Sequence, residues 1–245
     1  MKKPFPFWIA HRGAGKLAPE NTLAAFRLGA SYGFRAFECD VKLSADGVPF
    51  LLHDATLDRT TNGKGPAGEL SWDELSRLDA GSWHSPAYAG EPLPRLESVV
   101  RFLLANGLAL DLEIKPSPGR ELETGEVVGR EMKRLWRGRN KPPLMFSSFR
   151  PEALQGARES APDVPRALLV DTLWRGWLPM AQALECEAVI TNHEVMTRAV
   201  LGRIHGAGMR GMVYTVNELK RVKTLEGMGI DGIVTDAVDQ FCPGS

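Results

Sequence analysis

The sequence predicts a (β/α)8 barrel, on three observations. Short apolar runs with strand character alternate with amphipathic helical stretches along almost the whole chain, which is the pattern of βα units around a parallel sheet. The runs that open at Phe7, Arg35, Leu108, Leu144, Arg166, Glu187, Arg210 and Asp231 number eight, and eight parallel strands close on themselves. No G-x-G-x-x-G follows the first run, so the rival architecture, an open doubly wound sheet, lacks its phosphate-binding turn. A chain of 245 residues buries roughly 70–75% of its unfolded surface, a length that suits one such barrel as well as two small domains.

Phe7-Trp8-Ile9-Ala10 reads as the first strand. Lys2 and Lys3 ahead of it imitate a signal peptide, but the apolar run is short, broken by two prolines, and continues into His11-Arg12-Gly13. Pro19-Glu20-Asn21-Thr22 opens a helix to about Tyr32, with Asn21 as the expected N-cap and Leu23, Phe26 and Ala30 on one stripe. The second strand, Arg35–Leu43, is followed by a hairpin turn at Asp46-Gly47 and a short strand, Val48–Leu52, that ends at His53-Asp54. Between Ala55 and Pro94 the rhythm breaks into a glycine-rich loop, a short helix from Ser71 and a proline-bounded segment through Trp83 and Tyr88. This is read as an insertion after strand two, within one domain over 1–245, because it lacks the apolar mass for its own core. Helices near 96–106, 121–139, 151–160, 174–184, 194–206 and 217–227 then alternate with the remaining strands. The tail after Asp236 is short, so a reduced or missing last helix is expected.

Composition excludes several partners. The 30 basic and 30 acidic residues balance, and no basic run offers a track for nucleic acid or an anionic membrane. No apolar run approaches the roughly 20 residues of a membrane span. Cys39, Cys186 and Cys242 are too few and scattered for a disulfide framework or a zinc ribbon. Their odd number fits a reducing compartment, so a cytoplasmic location is expected.

Strand Arg35–Leu43 carries the first chemical signal. Phe37, Cys39, Val41 and Leu43 alternate with Glu38, Asp40 and Lys42. Two carboxylates on one strand face, with Cα atoms about 7 Å apart, converge on a cation or repel each other without one. The strand is therefore either a solvated surface or a metal site. Ala109–Lys115 repeats the arrangement, with Asp111, Glu113 and Lys115 opposite Leu110, Leu112 and Ile114. Asp111, farthest from the strand end, is expected to be an ion-pair partner inside the barrel. Glu38, Asp40 and Glu113 together need more positive charge than ordinary pairing supplies, although Lys42 and Lys115 offer part of it, so these three are the candidate metal ligands. An all-oxygen site suits Mg²⁺ or Ca²⁺ and does not choose between them. Zinc fits less well, with no HxH or HExxH and with Cys39 on the other strand face.

His11 and His53 both follow apolar strands at the rim where a barrel places its chemistry, and they are the candidate proton-transfer groups. His84, His193 and His205 are assigned surface or packing roles.

At these residues the chain resembles the glycerophosphodiester phosphodiesterase family. His11-Arg12-Gly13, Pro19-Glu20-Asn21-Thr22, Glu38-Cys39-Asp40-Val41, His53-Asp54 with Arg59-Thr60-Thr61-Asn62-Gly63, and Leu112-Glu113-Ile114-Lys115-Pro116 are similar to that family's motifs, in its order. Ser147-Ser148-Phe149, Tyr214-Thr215-Val216-Asn217 and Val234-Thr235-Asp236 are similar to its weaker signatures. The resemblance covers nearly the whole chain. It implies a TIM barrel with a small insertion after strand two, and metal-dependent hydrolysis of glycerophosphodiesters such as glycerophosphocholine or glycerophosphoethanolamine to sn-glycerol 3-phosphate and an alcohol. It implies Glu38, Asp40 and Glu113 as metal ligands, joined by Glu20 directly or through a water, and His11 and His53 as the acid/base pair. It also implies Arg12 and Lys115 as phosphate contacts. The nucleophile is water or the neighbouring glycerol hydroxyl, and both stay open.

The chain departs from the family pattern at Tyr214, where Trp is frequent, at Asp111 for Asn, at His84 for an aromatic residue and at Ala237 for Pro. Tyr214 and His84 bear on the alcohol preference, since they change the size or polarity of a pocket wall. Two other readings stand beside this one. An enzyme releasing lysophosphatidic acid from lysophospholipids needs an apolar groove, for which Trp72, Trp83 and Tyr88 are candidates unless they form the insertion's own small core. A silent barrel that only binds phosphodiesters is disfavoured, because no motif histidine or acid is missing.

Overall fold

In the computed structural model, which describes residues 5–138, 140–241 and 243, the eight expected strands form a closed parallel barrel. The first four elements are β1 (Trp8–Ala10), α1 (Leu23–Ser31), β2 (Ala36–Leu43) and β3 (Pro49–Leu51), followed by the single turn α2 (Trp72–Leu75) and by α3 (Leu96–Ala105). Regular alternation then runs through β4 (Ala109–Ile114), α4 (Glu121–Leu135), β5 (Leu144–Ser148), α5 (Pro151–Ser160), β6 (Arg166–Val170) and α6 (Trp177–Ala183). It ends with β7 (Ala188–Asn192), α7 (Arg198–Gly206), β8 (Arg210–Tyr214), α8 (Leu219–Glu226) and β9 (Gly232–Thr235). Strand β1 pairs in parallel with β9 through Ile9↔Val234 and with β2 through Ala10↔Phe37, which closes the barrel. Strand β3 stays outside it, antiparallel to the second half of β2 as the Asp46-Gly47 turn dictates.

The two-residue period of the strands sorts side chains between two apolar layers. Ile9, Ala36, Ala109, Met145, Ala167, Ile190, Met212 and Val234 pack together in the lumen, as side chains do in such barrels. Phe37, Cys39, Val41, Leu110, Leu112, Ile114 and Phe146 point outward into the contact with the helices. Cys39 and Cys186 are free and buried, while Cys242 and Arg139 lie outside the described residues. None of the helices among the described residues is long and apolar enough to cross a membrane.

Two local expectations are corrected and a third is met. The N-cap of α1 is Thr22, whose side chain accepts from the Ala25 amide; Asn21 is turned away by a left-handed backbone (φ 59°) and serves the site below. The segment after β3 does hold an apolar cluster, formed by Leu52, Leu57, Ala67, Leu75, Ala80 and Leu93 together with Phe50 of β3. It is small because its other order is polar: the Asp79 carboxylate accepts from the amides of Gly81, Ser82 and Gly90 and from the Ser82 hydroxyl. After β9, as expected, no helix follows among the described residues, and Phe241 instead stacks on Trp8 with ring centroids 4.9 Å apart.

Helices α4 and α5 approach closely because glycines face the contact. A Cβ on Gly125 would lie 2.0 Å from the Ala153 carbonyl oxygen, and one on Gly156 2.2 Å from that of Leu122. Both obstacles are backbone, so the helices must separate to admit a methyl group. Gly125→Ala is expected to destabilise the fold by about 1–3 kcal/mol. Gly202→Ala, in α7 where an added Cβ meets nothing within 4 Å, is expected to be neutral or stabilising by up to ~1 kcal/mol. Urea unfolding of the two variants checks this, and equal stability of both would contradict the close-packing account.

Candidate active site

The parallel register of β2 and β4 sets Glu38 opposite Asp111 and Asp40 opposite Glu113. Alternation turns all four carboxyl groups into the lumen above Ala36 and Ala109, and all four are buried. Carboxylate oxygens of Glu38, Asp40 and Glu113 lie within 4.8 Å of one another, close enough to ligate one cation. Lys115, the residue after β4, places Nζ 3.3 Å from both Asp40 and Glu113.

The loop from β1 to α1 brings the other partners. Arg12 has a left-handed backbone (φ 50°); its amide donates to Glu38 at 3.1 Å and its Nε lies 3.3 Å from Asp40. Asn21 donates its amide nitrogen to Asp40 at 2.8 Å and accepts the Asp40 backbone amide at 3.1 Å. The loop is held down at Gly15, where an added Cβ would overlap the Asp236 backbone at 2.1 Å.

Burial raises the proton affinity of every acid in the cluster, and neighbours decide which stay ionised. For Asp40, the attraction of Lys115, Arg12 and His53 outweighs burial, and its carboxyl is held well below the usual range. Burial and the nearby Asp40 charge push Glu38 well above the carboxylate range and Glu113 up to about 8. The cluster thus lacks positive charge even with Arg12 and Lys115 in place. A hard divalent cation fits that deficit and the all-oxygen donor set.

Asp111 does not make the expected ion pair. Among the described residues no cation reaches it; the Ser147 hydroxyl donates to it at 2.7 Å, and burial lifts its carboxyl to about 7. Lys42, on the same strand face as the acids, donates to the Lys115 carbonyl at 3.1 Å, and burial lowers its ammonium to about 8.

Both candidate histidines have an aspartate at Nδ1, a pairing that leaves Nε2 as the working nitrogen. His11 follows β1 with Nδ1 2.6 Å from Asp236 and Nε2 3.8 Å from Glu38. Asp236 follows β9 and is fixed by Asn217, which donates to its carboxylate at 3.1 Å and accepts its amide at 2.8 Å. His53 follows β3 with Nδ1 2.8 Å from Asp54, and burial keeps its ring below the ordinary histidine pKa. Arg59 donates to both oxygens of Asp54 and both of Glu20. Glu20 also accepts from Arg12 at 2.9 Å, so it lies outside the three-carboxylate cluster with its oxygens engaged by arginines.

A cavity of about 260 Å³ opens over these groups, lined by His11, Arg12, Glu38, His53, Glu113 and Lys115 on one side and by Phe149, Asp171 and Tyr214 on the other. Asp40 lies beneath, fully buried. Trp72, Trp83 and Tyr88 do not line the cavity: Trp72 packs on the insertion cluster and Tyr88 against the main core, while the Trp83 indole donates to the Ala80 carbonyl. His84 contacts the Lys16 carbonyl, His205 pairs with Asp231 at 2.8 Å and His193 lies against Arg221, all three away from the cavity.

The model of the glycerophosphoryl diester phosphodiesterase family matches residues 11–240. This chain belongs to that family. Bacillus subtilis YhdW is 38% identical over 94% of each chain, and the glycerophosphodiester phosphodiesterase of Caldanaerobacter subterraneus is 32% identical over 93% of each. The solved structure of an Oleispira antarctica phosphodiesterase in complex with its product sn-glycerol-3-phosphate has a TM-score of 0.91 and 34% identity, covering 96% of this chain and 94% of that one. The family consists of phosphodiester-cleaving enzymes, and this member is one. Membership leaves the partner groups to be read from geometry: Asp236, Asn217, Asp54, Arg59 and Asn21 carry no chemistry of their own in the sequence reading. All five lie in stretches that are similar to the family's motifs, but their partners depend on loop geometry that the motifs do not spell out.

Proposed function

We propose that this protein is a metal-dependent hydrolase of small glycerophosphodiesters, producing sn-glycerol 3-phosphate and a free alcohol. The observation that carries the reading is the convergence of Glu38, Asp40 and Glu113 beneath a cavity flanked by two aspartate-oriented histidines. The three carboxylates would hold Mg²⁺ or Ca²⁺, which supplies Lewis-acid polarisation of a phosphate oxygen when bound. Lys115 and Arg12, which border the same carboxylates, bind the phosphate and offset the negative charge that grows on it. The product named for the Oleispira structure supports the glycerol phosphate half of the substrate.

His53, kept neutral near pH 7 by burial, takes the proton from the attacking oxygen. If that oxygen is water's, sn-glycerol 3-phosphate forms directly; if it is the neighbouring glycerol hydroxyl's, a cyclic glycerol phosphate forms, and a water then opens it to sn-glycerol 3-phosphate, with His11 taking the water's proton and His53 returning its own to the glycerol oxygen. His11, with a carboxylate near each ring nitrogen, gives a proton to the leaving alcohol oxygen as the P–O bond breaks. Asp236 and Asp54 hold the two rings in register with the cavity. We read 1–245 as one catalytic domain with 55–94 as its insertion, because Arg59 from that segment ties Glu20 of the first loop to Asp54 beside His53. The balanced charge and the free buried cysteines support a cytoplasmic enzyme acting on a small-molecule substrate, without nucleic acid.

His11→Ala and His53→Ala are each expected to lower kcat on glycerophosphodiesters by roughly 10²–10⁴-fold with an unchanged circular dichroism spectrum. Near-normal turnover in both would sink the acid/base assignment. The pH profile of the wild-type enzyme tests the division of roles. A neutral His53 is required, so kcat/KM rises with pH through its pKa, and because burial lowers that pKa the acid limb is expected to centre below the ordinary value of about 6.5. A limb centred above that value would count against His53 as the base.

The cation site has a readout apart from turnover. Mg²⁺ or Ca²⁺ that binds only the folded protein stabilises it by about 2.7 kcal/mol at a hundred times its Kd. The melting temperature of chelator-treated protein is therefore expected to rise on adding either ion, and the rise is expected to vanish in Asp40→Asn. No shift with either ion would overturn the carboxylate-site reading.

A further inference from the structure

The cavity mouth is electrically two-sided. Its β1–β4 half holds Arg12, Lys115 and the carboxyl cluster, whereas its β5–β8 half presents Phe149, Asp171 and Tyr214. Asp171 follows the last residue of β6, beside the end of β7 in the parallel register Val170↔Thr191. It accepts from the Tyr214 hydroxyl and from the Asn192 side-chain amide, both at 3.1 Å and both on Oδ1. Among the described residues no hydrogen bond reaches Oδ2, and no Lys, Arg or His stands within ion-pair distance of the carboxylate.

Two neutral donors position this group without cancelling its charge. Tyr214 in turn meets the Phe149 ring edge-on, with centroids 5.8 Å apart, and Lys115 Nζ lies 6.0 Å from the same Phe149 ring. Lys115, Phe149, Tyr214 and Asp171 therefore form a row from a cation, across two aromatic rings, to an unpaired anion. A ligand complementary to that row carries negative charge at one end and positive charge at the other, with aromatic surface available to replace water around its cation.

We infer that Asp171, Phe149 and Tyr214 form a subsite for a cationic alcohol group, so that the enzyme selects zwitterionic glycerophosphodiesters, those of amino alcohols, over the anionic diesters of uncharged alcohols. The inference rests on the hydrolase reading above and assigns the leaving alcohol to the β5–β8 side of the mouth. Asp171 acts here on recognition, through charge, and leaves proton transfer to the histidines. Its bonds to Tyr214 and Asn192 keep the carboxylate at the wall when no ligand is present.

The test substitutes Asp171→Asn, which retains a carbonyl acceptor for Tyr214 and Asn192 and removes only the charge. The readout is the ratio of kcat/KM for glycerophosphoethanolamine to that for glycerophosphoglycerol. In the variant that ratio is expected to fall roughly 3- to 30-fold, the range of a carboxylate and aromatic contact with an ammonium at a partly desolvated site. An unchanged ratio overturns the subsite, whether the two rates hold or fall together; so does the reversed pose, with glycerol hydroxyls against Asp171, which lowers both equally. Calorimetric titration with phosphocholine in the presence of Mg²⁺ separates this claim from the hydrolase reading. If no diester is turned over, that reading fails, while weaker phosphocholine binding by Asp171→Asn than by wild type still supports the subsite. Equal binding by the two, or none by either, overturns it.

Discussion

Four carboxyl groups share the lumenal face of two adjacent strands, and most of the polar structure around them answers that crowding. The register that sets Glu38 against Asp111 and Asp40 against Glu113 is a backbone property, so the acids cannot move apart without unpairing β2 from β4. The neighbours must supply compensation instead. Asp40 takes most of it, from Lys115, Arg12 and Asn21, and remains ionised, whereas Glu38 and Glu113 are left with raised proton affinity. A site that keeps one carboxylate charged and its two neighbours short of positive charge is poised for a divalent cation, and poorly suited to an apolar ligand.

The same demand explains the shape of the first loop. Arg12 and Asn21 both adopt left-handed backbone, at φ 50° and 59°, a conformation that is uncommon for residues with side chains. Each is held there by bonds to the acids: the Arg12 amide reaches Glu38, and Asn21 grips Asp40 by two hydrogen bonds. Local strain is thus offset by charge-assisted hydrogen bonds. Barrel closure contributes as well. Asp236 orients His11 only because β9 pairs with β1 and delivers its C-terminal end beside that of β1. On the other side, an ionic chain running Arg12–Glu20–Arg59–Asp54–His53 joins the first loop to the segment after β3.

The barrel and its acidic floor were legible in the sequence because both rest on short-period patterns. Alternation along β2 and β4 told which side chains share a face, and strand ends told where the rim lies, so Glu38, Asp40, Glu113, His11 and His53 are brought to one place. What stayed illegible depends on loops or on which partner a neighbouring strand supplies. Asn21 read as a helix cap because Asn favours that position, and the left-handed turn that frees it for Asp40 has no periodic signature. Asp111 read as an ion-pair partner because buried acids usually have one; Ser147, on the next strand, meets it instead with a neutral hydroxyl. The insertion's order, built on Asp79 accepting four hydrogen bonds from its own loop, is likewise invisible to an estimate that counts apolar residues.

The two halves of the mouth, to which we assign the chemistry and the recognition of the alcohol group, differ in how tightly their parts are coupled. In the β1–β4 half every ionisable group lies beside another, so removing one charge shifts the proton affinity of the rest, and substitution there changes the whole cluster. In the β5–β8 half Phe149 and Asp171 project from residues just beyond strand ends, Tyr214 closes β8, and they are joined by single contacts. A substitution at Asp171 alters a contact with a ligand and removes no hydrogen bond from the carboxylate cluster. A barrel divided in this way can change its preferred alcohol without rebuilding its catalytic charges, because the two sets of side chains share a cavity but almost no hydrogen bonds.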